Sequence, residues 1–410
     1  MILLVHPFGN ANVRAVLSAL DEADRLGKFL TTLGWSNTSP LLAALPEKLR
    51  AEMMRRGYEL PHYKIKTHPT REIVRLIAAK LGLDWLTKHE TGWASIDRIW
   101  TRLDQVAGRY LRENYERLKI DGVYAYEDCS QDLFETAREL GLRRVYDLPI
   151  VYWQTAQRLL REQAQRYPNW EPTLGATRDS EKKIARKTRE LELADVVICP
   201  SAFVRDSLPE EARSSKECIV APFGSPVIGD AQFKQPDRSE RQLRFLFAGA
   251  LSQRKGLADL FAAMKLVDST SAELVVMGST ILPMQFYRDQ FPDFIYEPPR
   301  AHPAVLRLMG SCDVLVLPSI VEGRALVQQE AMASGLPLIV TRNAGGEDLI
   351  AEGETGFLVP AGSPPAIAEK IEWFLQNRDK LRGMSVTARA KAAELTWRAY
   401  GERILHGIGV

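Results

Sequence analysis

The sequence predicts an α/β protein in two halves, each alternating short apolar strands with helices. Three observations carry this. Consecutive apolar runs such as VVIC at 196–199 and VLVL at 314–317 suit strands of a parallel sheet covered on both faces. A stretch rich in Gly, Pro and polar residues, Ala221 to Gln242, reads as a linker between the halves. The pattern Ala-Asp-VVIC-Pro-Ser at 194–201 returns as Cys-Asp-VLVL-Pro-Ser at 312–319, which suggests related halves. With 410 residues, two or three full hydrophobic cores fit.

The elements follow in order. Ile2 to Val5 is a strand, HPFGNA a loop, and Val13 to Leu20 a helical pattern, with Asn12 expected as its cap. From about Leu41 to Leu118 the chain is helical and charge-rich, with no legible chemistry. Strands at Gly122–Tyr126 and Arg144–Tyr146 flank the helix DLFETAREL. An aromatic segment, Tyr152 to Trp170, reads equally as core or as the lining of an acceptor groove. The helix EKKIARKTRELELA then leads to the strand DVVIC. Beyond the linker come RFLFAGA, ELVVMGS, DVLVLPS and PLIVT as strands, with GLADLFAAMKLV and QQEAMASG as helices. ELTWRAYGERIL is a last helix expected to pack back across both halves. This places an N-terminal domain at 1–225, completed by about 395–410, and a C-terminal domain at 226–394.

Several classes are excluded or demoted. The net charge of +2 makes no electrostatic case for nucleic acid. No apolar run reaches membrane-spanning length. The start, MILLVHPFGN, lacks a basic segment and reads as a buried strand, not a signal peptide. The 4 cysteines lack metal-ligand spacing and suit reduced, buried thiols of a cytoplasmic protein. No G-x-G-x-x-G opens a βαβ unit, which disfavours a dinucleotide oxidoreductase.

Chemistry concentrates in SIVEGRALVQQEAMASGLP, Ser319 to Pro337. Glu322 falls in the loop at the carboxyl end of a strand, the edge where open α/β sheets bind ligands. Glu330 falls on the helix, expected to run from near Ala325 to Gly335. Its neighbours Leu326, Val327, Ala333 and Ser334 define an apolar face, where a carboxylate needs partners such as ribose hydroxyls. Backbone N–H groups from Gly323 through Arg324 and Ala325 to Leu326 suit a diphosphate or a sugar. GALSQRKG, Gly249 to Gly256, brings Arg254 and Lys255 to a neighbouring edge as a diphosphate clamp. Gly345-Gly346 permits close ligand approach, Gly356 serves a turn, and the Gly9 loop offers a substrate contact. Each of these motifs alone reads as well as ordinary surface chemistry.

Together they resemble the retaining GT-B glycosyltransferases of family 4, the glycosyl transferases group 1. Gly249, Leu251, Lys255 and Gly256 match G-x-L-x-x-x-K-G; Glu322 and Glu330 match E-x7-E; Gly345 to Pro360 match the tail that follows. The match is strong from Phe245 to Pro360, and in the first 120 residues it covers only the opening strand and loop. The resemblance implies two Rossmann-like domains facing across a cleft, with the C-terminal helix crossing back. It implies a nucleotide-diphosphate sugar as donor, UDP-sugar by default, no cofactor, no metal, and retention at the anomeric carbon. The absence of any Asp-x-Asp fits the metal-free reading. Glu330 would hold the ribose, Glu322 the transferred sugar and Lys255 the leaving diphosphate. The acceptor would be a saccharide, a lipid-linked sugar or a small molecule.

The sequence departs from the pattern at three places. Ala250 stands where many members have Arg, and Arg254 is the expected substitute. Pro149 stands where many have His, leaving Asp147, Tyr152 and Trp153 as candidates for that contact. Arg324-Ala325 replaces an aromatic–Gly pair, so sugar preference is not transferable. Base recognition would use backbone near Tyr296 to Arg300. A catalytically silent GT-B protein and a sugar-nucleotide epimerase remain competing readings. Two basic clusters, Arg55-Arg56 with Lys64, Lys66 and Arg71, and the helix EKKIARKTRELE, read either as solvated faces or as peripheral contact with the inner face of a membrane. Oligomeric state is not legible.

Overall fold

The computed structural model describes residues 1–37, 54, 56–175, 178–228, 241–267 and 270–410. Arg55 and residues 229–240 of the expected linker lie outside the described residues, as do 41–53 of the charge-rich stretch.

The first sheet holds seven strands in the order β5-β2-β1-β6-β7-β8-β9. In chain order these are β1 (Ile2–Val5), β2 (Leu26–Thr31), β5 (Ile65–Thr67), β6 (Gly122–Tyr126), β7 (Arg143–Asp147), β8 (Val196–Cys199) and β9 (Glu217–Val220). A small pair, β3 (Trp35–Ser36) and β4 (Gly57–Tyr58), stands apart. The second sheet holds six strands in the order β12-β11-β10-β13-β14-β15. They are β10 (Leu243–Ala248), β11 (Ala272–Met277), β12 (Phe294–Glu297), β13 (Val314–Leu317), β14 (Leu338–Thr341) and β15 (Gly356–Val359). Every pairing in both sheets is parallel. Strands β1, β6, β8, β13 and β14 are buried along their whole length. Unbroken apolar runs are what a sheet covered on both faces requires, which is why these strands were legible.

Parallel connection carries all carboxyl ends of a sheet to one edge. The loops after β1, β6 and β7 therefore gather on the first sheet, and those after β10, β13 and β14 on the second. The helix Trp397–Gly407 returns to the first sheet and packs on Ala11–Glu22. Gly401 permits the contact, since a Cβ there would stand 2.7 Å from the Cβ of Ala19. Tyr400 and Ile404 then join the core of the first sheet.

A second crossing runs the other way. The helix Trp153–Arg166 and the 3-10 turn Pro168–Thr173 follow β7, yet Trp170 is buried in the core of the second sheet, against Phe261, Phe286 and Tyr287. Tyr167 donates to Asp259 at 2.9 Å, and Gln163 accepts from Gln253 at 2.8 Å. Conversely, Ile320 and Val321 of the second half are buried in the core of the first. Of the two readings of Tyr152–Trp170, core packing holds at both ends, for Tyr152 is buried beneath the first sheet.

Three local expectations need correction. The first helix starts at Ala11 with Asn10 at the cap position, and Asn12 is buried inside the first turn. Gly356 opens β15, where a Cβ would meet the Leu338 carbonyl at 2.1 Å; close strand pairing, not a turn, demands it. The helix Glu181–Leu193 is no solvated basic face. Lys183 pairs with Asp97, Arg186 with Asp104 and Glu190, and Lys187 with Glu127, all largely buried. Charges at that depth persist because they are paired.

Trp170→Ala should destabilise the protein by about 3–5 kcal/mol, as removal of a buried indole does. Denaturant unfolding checks it; an unchanged midpoint would mean the crossing carries no packing energy.

Candidate functional site

The gathered loops enclose a cavity of about 510 Å³ between the two sheets. From the second half it is lined by Ala248, Gly249, Lys255, Glu322 and the run Arg324 to Val327. From the first it is lined by His6, Asn10, Ala11, Asn12, Trp100, Tyr126, Pro149 and Phe223.

Glu322 and Lys255, expected to serve different parts of a donor, are each other's ion-pair partners. Arg254 approaches the same carboxylate at 3.5 Å. The backbone holds them in place: the Ile320 and Val321 N–H groups both bond the Arg254 carbonyl, at 2.9 and 3.3 Å. Lys255 lies over Gly249, whose φ of 153° is a conformation that favours glycine. Burial lowers the Lys255 pKa, opposed by Glu322 and reinforced by Arg254. A cation in that state is partly desolvated and readily attracts an incoming anion.

Gly323 is a point of close backbone contact between the halves. A Cβ there would stand 1.8 Å from the Pro149 carbonyl. Its own carbonyl accepts from Ser201 Oγ at 2.7 Å. Gly345, at φ 73°, lies against the other side, where a Cβ would meet the Gly323 carbonyl at 1.9 Å. Pro149 thus reaches the site with its backbone.

Arg324 does not present its guanidinium as a ligand group. It is buried, donating to Asp348 at 2.6 and 3.1 Å, to Gln329 at 2.9 Å and to the Gly345 carbonyl at 3.0 Å. The Ala325 N–H is also occupied, by the Ala344 carbonyl at 3.1 Å. The Gln328 N–H bonds the Ala325 carbonyl at 3.0 Å, so what the loop offers is the Leu326 and Val327 N–H groups that open the helix Leu326–Ala333.

Glu330 is one turn further along the face of Leu326 and Val327. That face is half-exposed, so the carboxylate is not packed among apolar groups as the spacing suggested. Its partner is His302, 3.1 Å away, at the start of the helix His302–Met309. Nearby, the Tyr296 hydroxyl bonds the Gly278 carbonyl at 3.0 Å and Arg300 pairs with Glu297.

Of the expected site residues, Arg254, Gly323 and Glu330 adjoin lining residues without lining the cavity themselves, and two others turn away from it. Asp147 ends β7 but is buried under it, accepting from Tyr124 at 2.7 Å. Burial raises its pKa to about 7, partly offset by the tyrosine hydroxyls. Gly9 faces Tyr58, where a Cβ would lie 2.5 Å from the phenol oxygen, and its carbonyl accepts from Arg14 at 3.0 Å.

Sequence reasoning missed His6, Trp100 and His302. His6 follows β1, is buried edge-on against Tyr126 and Trp100, and has its pKa lowered to about 3 by burial. Its Nδ1 accepts the Phe8 N–H at 2.9 Å, so the neutral ring carries its proton on Nε2 and can donate there. The signal was its position at a strand's carboxyl end.

Residues 229–391 match the family described as glycosyl transferases group 1. A D-inositol 3-phosphate glycosyltransferase of Corynebacterium diphtheriae is 23% identical over 86% of each chain. Among solved structures, a sucrose-phosphate synthase from Thermosynechococcus elongatus superposes with a TM-score of 0.65 at 16% identity, covering 99% of this chain and 97% of that one. HepE of Anabaena, solved in complex with UDP-glucose, superposes at 0.57 with 16% identity, covering 100% and 99%. The architecture is accordingly GT-B, as the motifs implied.

Asp147→Asn isolates one ionisation. A raised carboxyl pKa means the folded state holds its proton longer than the unfolded chain, so its contribution to stability falls as pH climbs from the ordinary carboxylate range through about 7. The variant keeps an acceptor for Tyr124 and loses that slope. Unfolding free energy measured across this window should therefore fall less steeply than in the wild type.

Proposed function

We propose that this chain, whose residues 229–391 match glycosyl transferases group 1, is a member of that family and transfers a sugar from a nucleotide-diphosphate sugar to an acceptor hydroxyl, with retention and without metal. UDP-sugar is the default donor, in line with UDP-glucose in HepE. The second-sheet domain binds the donor; the first-sheet domain, completed by the last helix, binds a saccharide, lipid-linked or small-molecule acceptor.

The observation that carries this reading is the Lys255–Glu322 pair at the mouth of a helix N-terminus. A diphosphate entering there meets Lys255, Arg254 and the first-turn amides. Together these stabilise charge that grows on the leaving group. Displacing Lys255 from Glu322 frees that carboxylate to accept hydroxyls of the transferred sugar. Glu330, with His302 beside it, takes the ribose. A leaving-phosphate oxygen removes the acceptor proton on the same face. Neutral His6 donates from Nε2 to a sugar oxygen, a polar contact of the kind absent at Pro149.

Ligand binding to the folded state raises the melting temperature by mass action. UDP or a UDP-sugar should raise it in the wild type and fail to do so in Glu330→Ala; GDP, ADP and CMP serve as comparisons. No shift with any nucleotide would sink the donor site.

Lys255→Ala should lower kcat roughly 10²–10³-fold, the scale for losing a group that stabilises developing charge. Turnover is followed as nucleoside diphosphate release. A nucleotide-induced shift without turnover on any acceptor would leave the silent GT-B reading in its place.

A further inference from the structure

The helix Thr70–Leu81 buries Glu72 and Ala78 and leaves its other face uncovered among the described residues. Ile73, Ile77 and Leu81, at spacing i, i+4, i+8, are 42%, 51% and 66% exposed. Trp85 continues the stripe at 69%, and Trp93 flanks it at 47%. Large side chains in a contiguous exposed stripe mark a contact surface, whereas scattered ones would need no explanation.

The rim of this stripe is basic. The guanidinium of Arg71 covers the Trp93 ring at 5.0 Å and donates to the Arg98 carbonyl at 3.0 Å. The pKa values of His68 and Arg71 are lowered, first by burial and then by cationic neighbours, with Arg102 acting on both. Nearby acids mostly turn inward. Glu72 is buried between Arg56 and Arg75, at 2.9 and 2.7 Å, and Asp97 pairs with Lys183 at 2.9 Å. Asp84 is exposed beside Trp85. Aliphatic stripe, interfacial tryptophans and arginine rim together are the chemistry of a helix lying in a lipid headgroup layer. A second copy of the chain would bring the same positive rim against itself.

We propose that this face docks on an anionic lipid bilayer. The stripe lies close to the cavity: Arg75, on the same helix, stands over the Phe8 ring at 5.9 Å, Phe8 meets Trp100 at 6.1 Å, and Trp100 lines the cavity. A sugar carried on a lipid headgroup would therefore reach the cavity from its first-sheet side. Docking stands on the face alone; delivery of a lipid-linked acceptor rests on the transferase reading. The basic residues singled out from the sequence contribute unequally, since Lys64 is held by Asp21 at 2.6 Å and Arg56 by Glu72, whereas Arg71 belongs to the rim.

The test is co-sedimentation of the full chain with vesicles of phosphatidylcholine alone or mixed with phosphatidylglycerol. Binding should appear on the anionic vesicles and weaken with salt. The double variant Ile77→Ser, Leu81→Ser should lower it at least about tenfold. Arg71→Gln should lower it roughly fivefold. Circular dichroism and the nucleotide-induced melting shift, read in parallel, should stay at wild-type values, which separates loss of docking from failure of the donor site. Should the double variant misfold, Trp85→Ser on the short exposed helix Asp84–Thr87 carries the same expectation. Absence of binding to anionic vesicles overturns the proposal, as does binding that survives every variant. Self-association of the wild type that the apolar variant abolishes, without vesicle binding, would reassign the face to a second copy.

Discussion

The cavity depends on how closely the chain can pass at Gly323. Three backbones converge there: the Pro149 carbonyl from the first sheet, Gly323 itself, and Gly345 from the loop after β14. No side chain fits between them. This contact fixes the residues on either side in opposite senses. Glu322 turns toward Lys255, while Arg324 turns inward to Asp348 and Gln329. The arginine thereby holds the loop from below while the glutamate works from above. Had the halves met through side chains, rotamer freedom would have blurred the position of Glu322. A backbone-to-backbone contact leaves little slack, which suits the sugar-holding role proposed for Glu322.

The electrostatics follow from that placement. Two cations, Arg254 and Lys255, share one carboxylate, so the loop pair carries net positive charge beside a helix N-terminus. A dianionic phosphate group would complement both. On the far side of the cavity the groups are neutral: His6 kept uncharged by burial, with Trp100, Tyr126 and Phe223. One wall thus suits a leaving anion and the other a sugar or an acceptor, and the polarity of the site runs from one sheet to the other.

Much of this was legible in the sequence, for identifiable reasons. Strands β1, β6, β7, β8, β10, β11, β13 and β14 read correctly because burial on both faces forces continuous apolar runs, whereas β2, β5, β9, β12 and β15 went unread, β5 within the stretch expected to be helical. Glu322, Lys255 and the Gly249 turn were placed at a sheet edge from local order alone, and they line the cavity together; Glu330, inside the helix Leu326–Ala333, was expected on a close-packed apolar face and instead meets His302. Asp147 misled for the same reason. A strand end places its backbone at the edge but does not decide which way the side chain turns, and the Tyr124 hydroxyl drew this one inward. Arg324 misled because its partners Gln329 and Asp348 lie in other turns of the chain. His6 and Trp100 were missed because nothing local distinguishes a cavity residue from a core residue; only the meeting of β1, the helix Ile96–Asn114 and the second half does so.

The two crossings constrain how such a cavity can work. Trp170 is seated in the second core, and Ile320 with Val321 in the first. The halves therefore exchange elements instead of merely abutting. Pulling them fully apart would expose an indole and two aliphatic side chains and would break the Tyr167–Asp259 and Gln163–Gln253 bonds. Opening that preserves this burial has to pivot close to Trp170, with displacement growing toward the far rim. Gly323 lies two residues beyond Val321 and is tied to Ser201 Oγ at 2.7 Å, so the contact that positions Glu322 is anchored by the same exchange of elements.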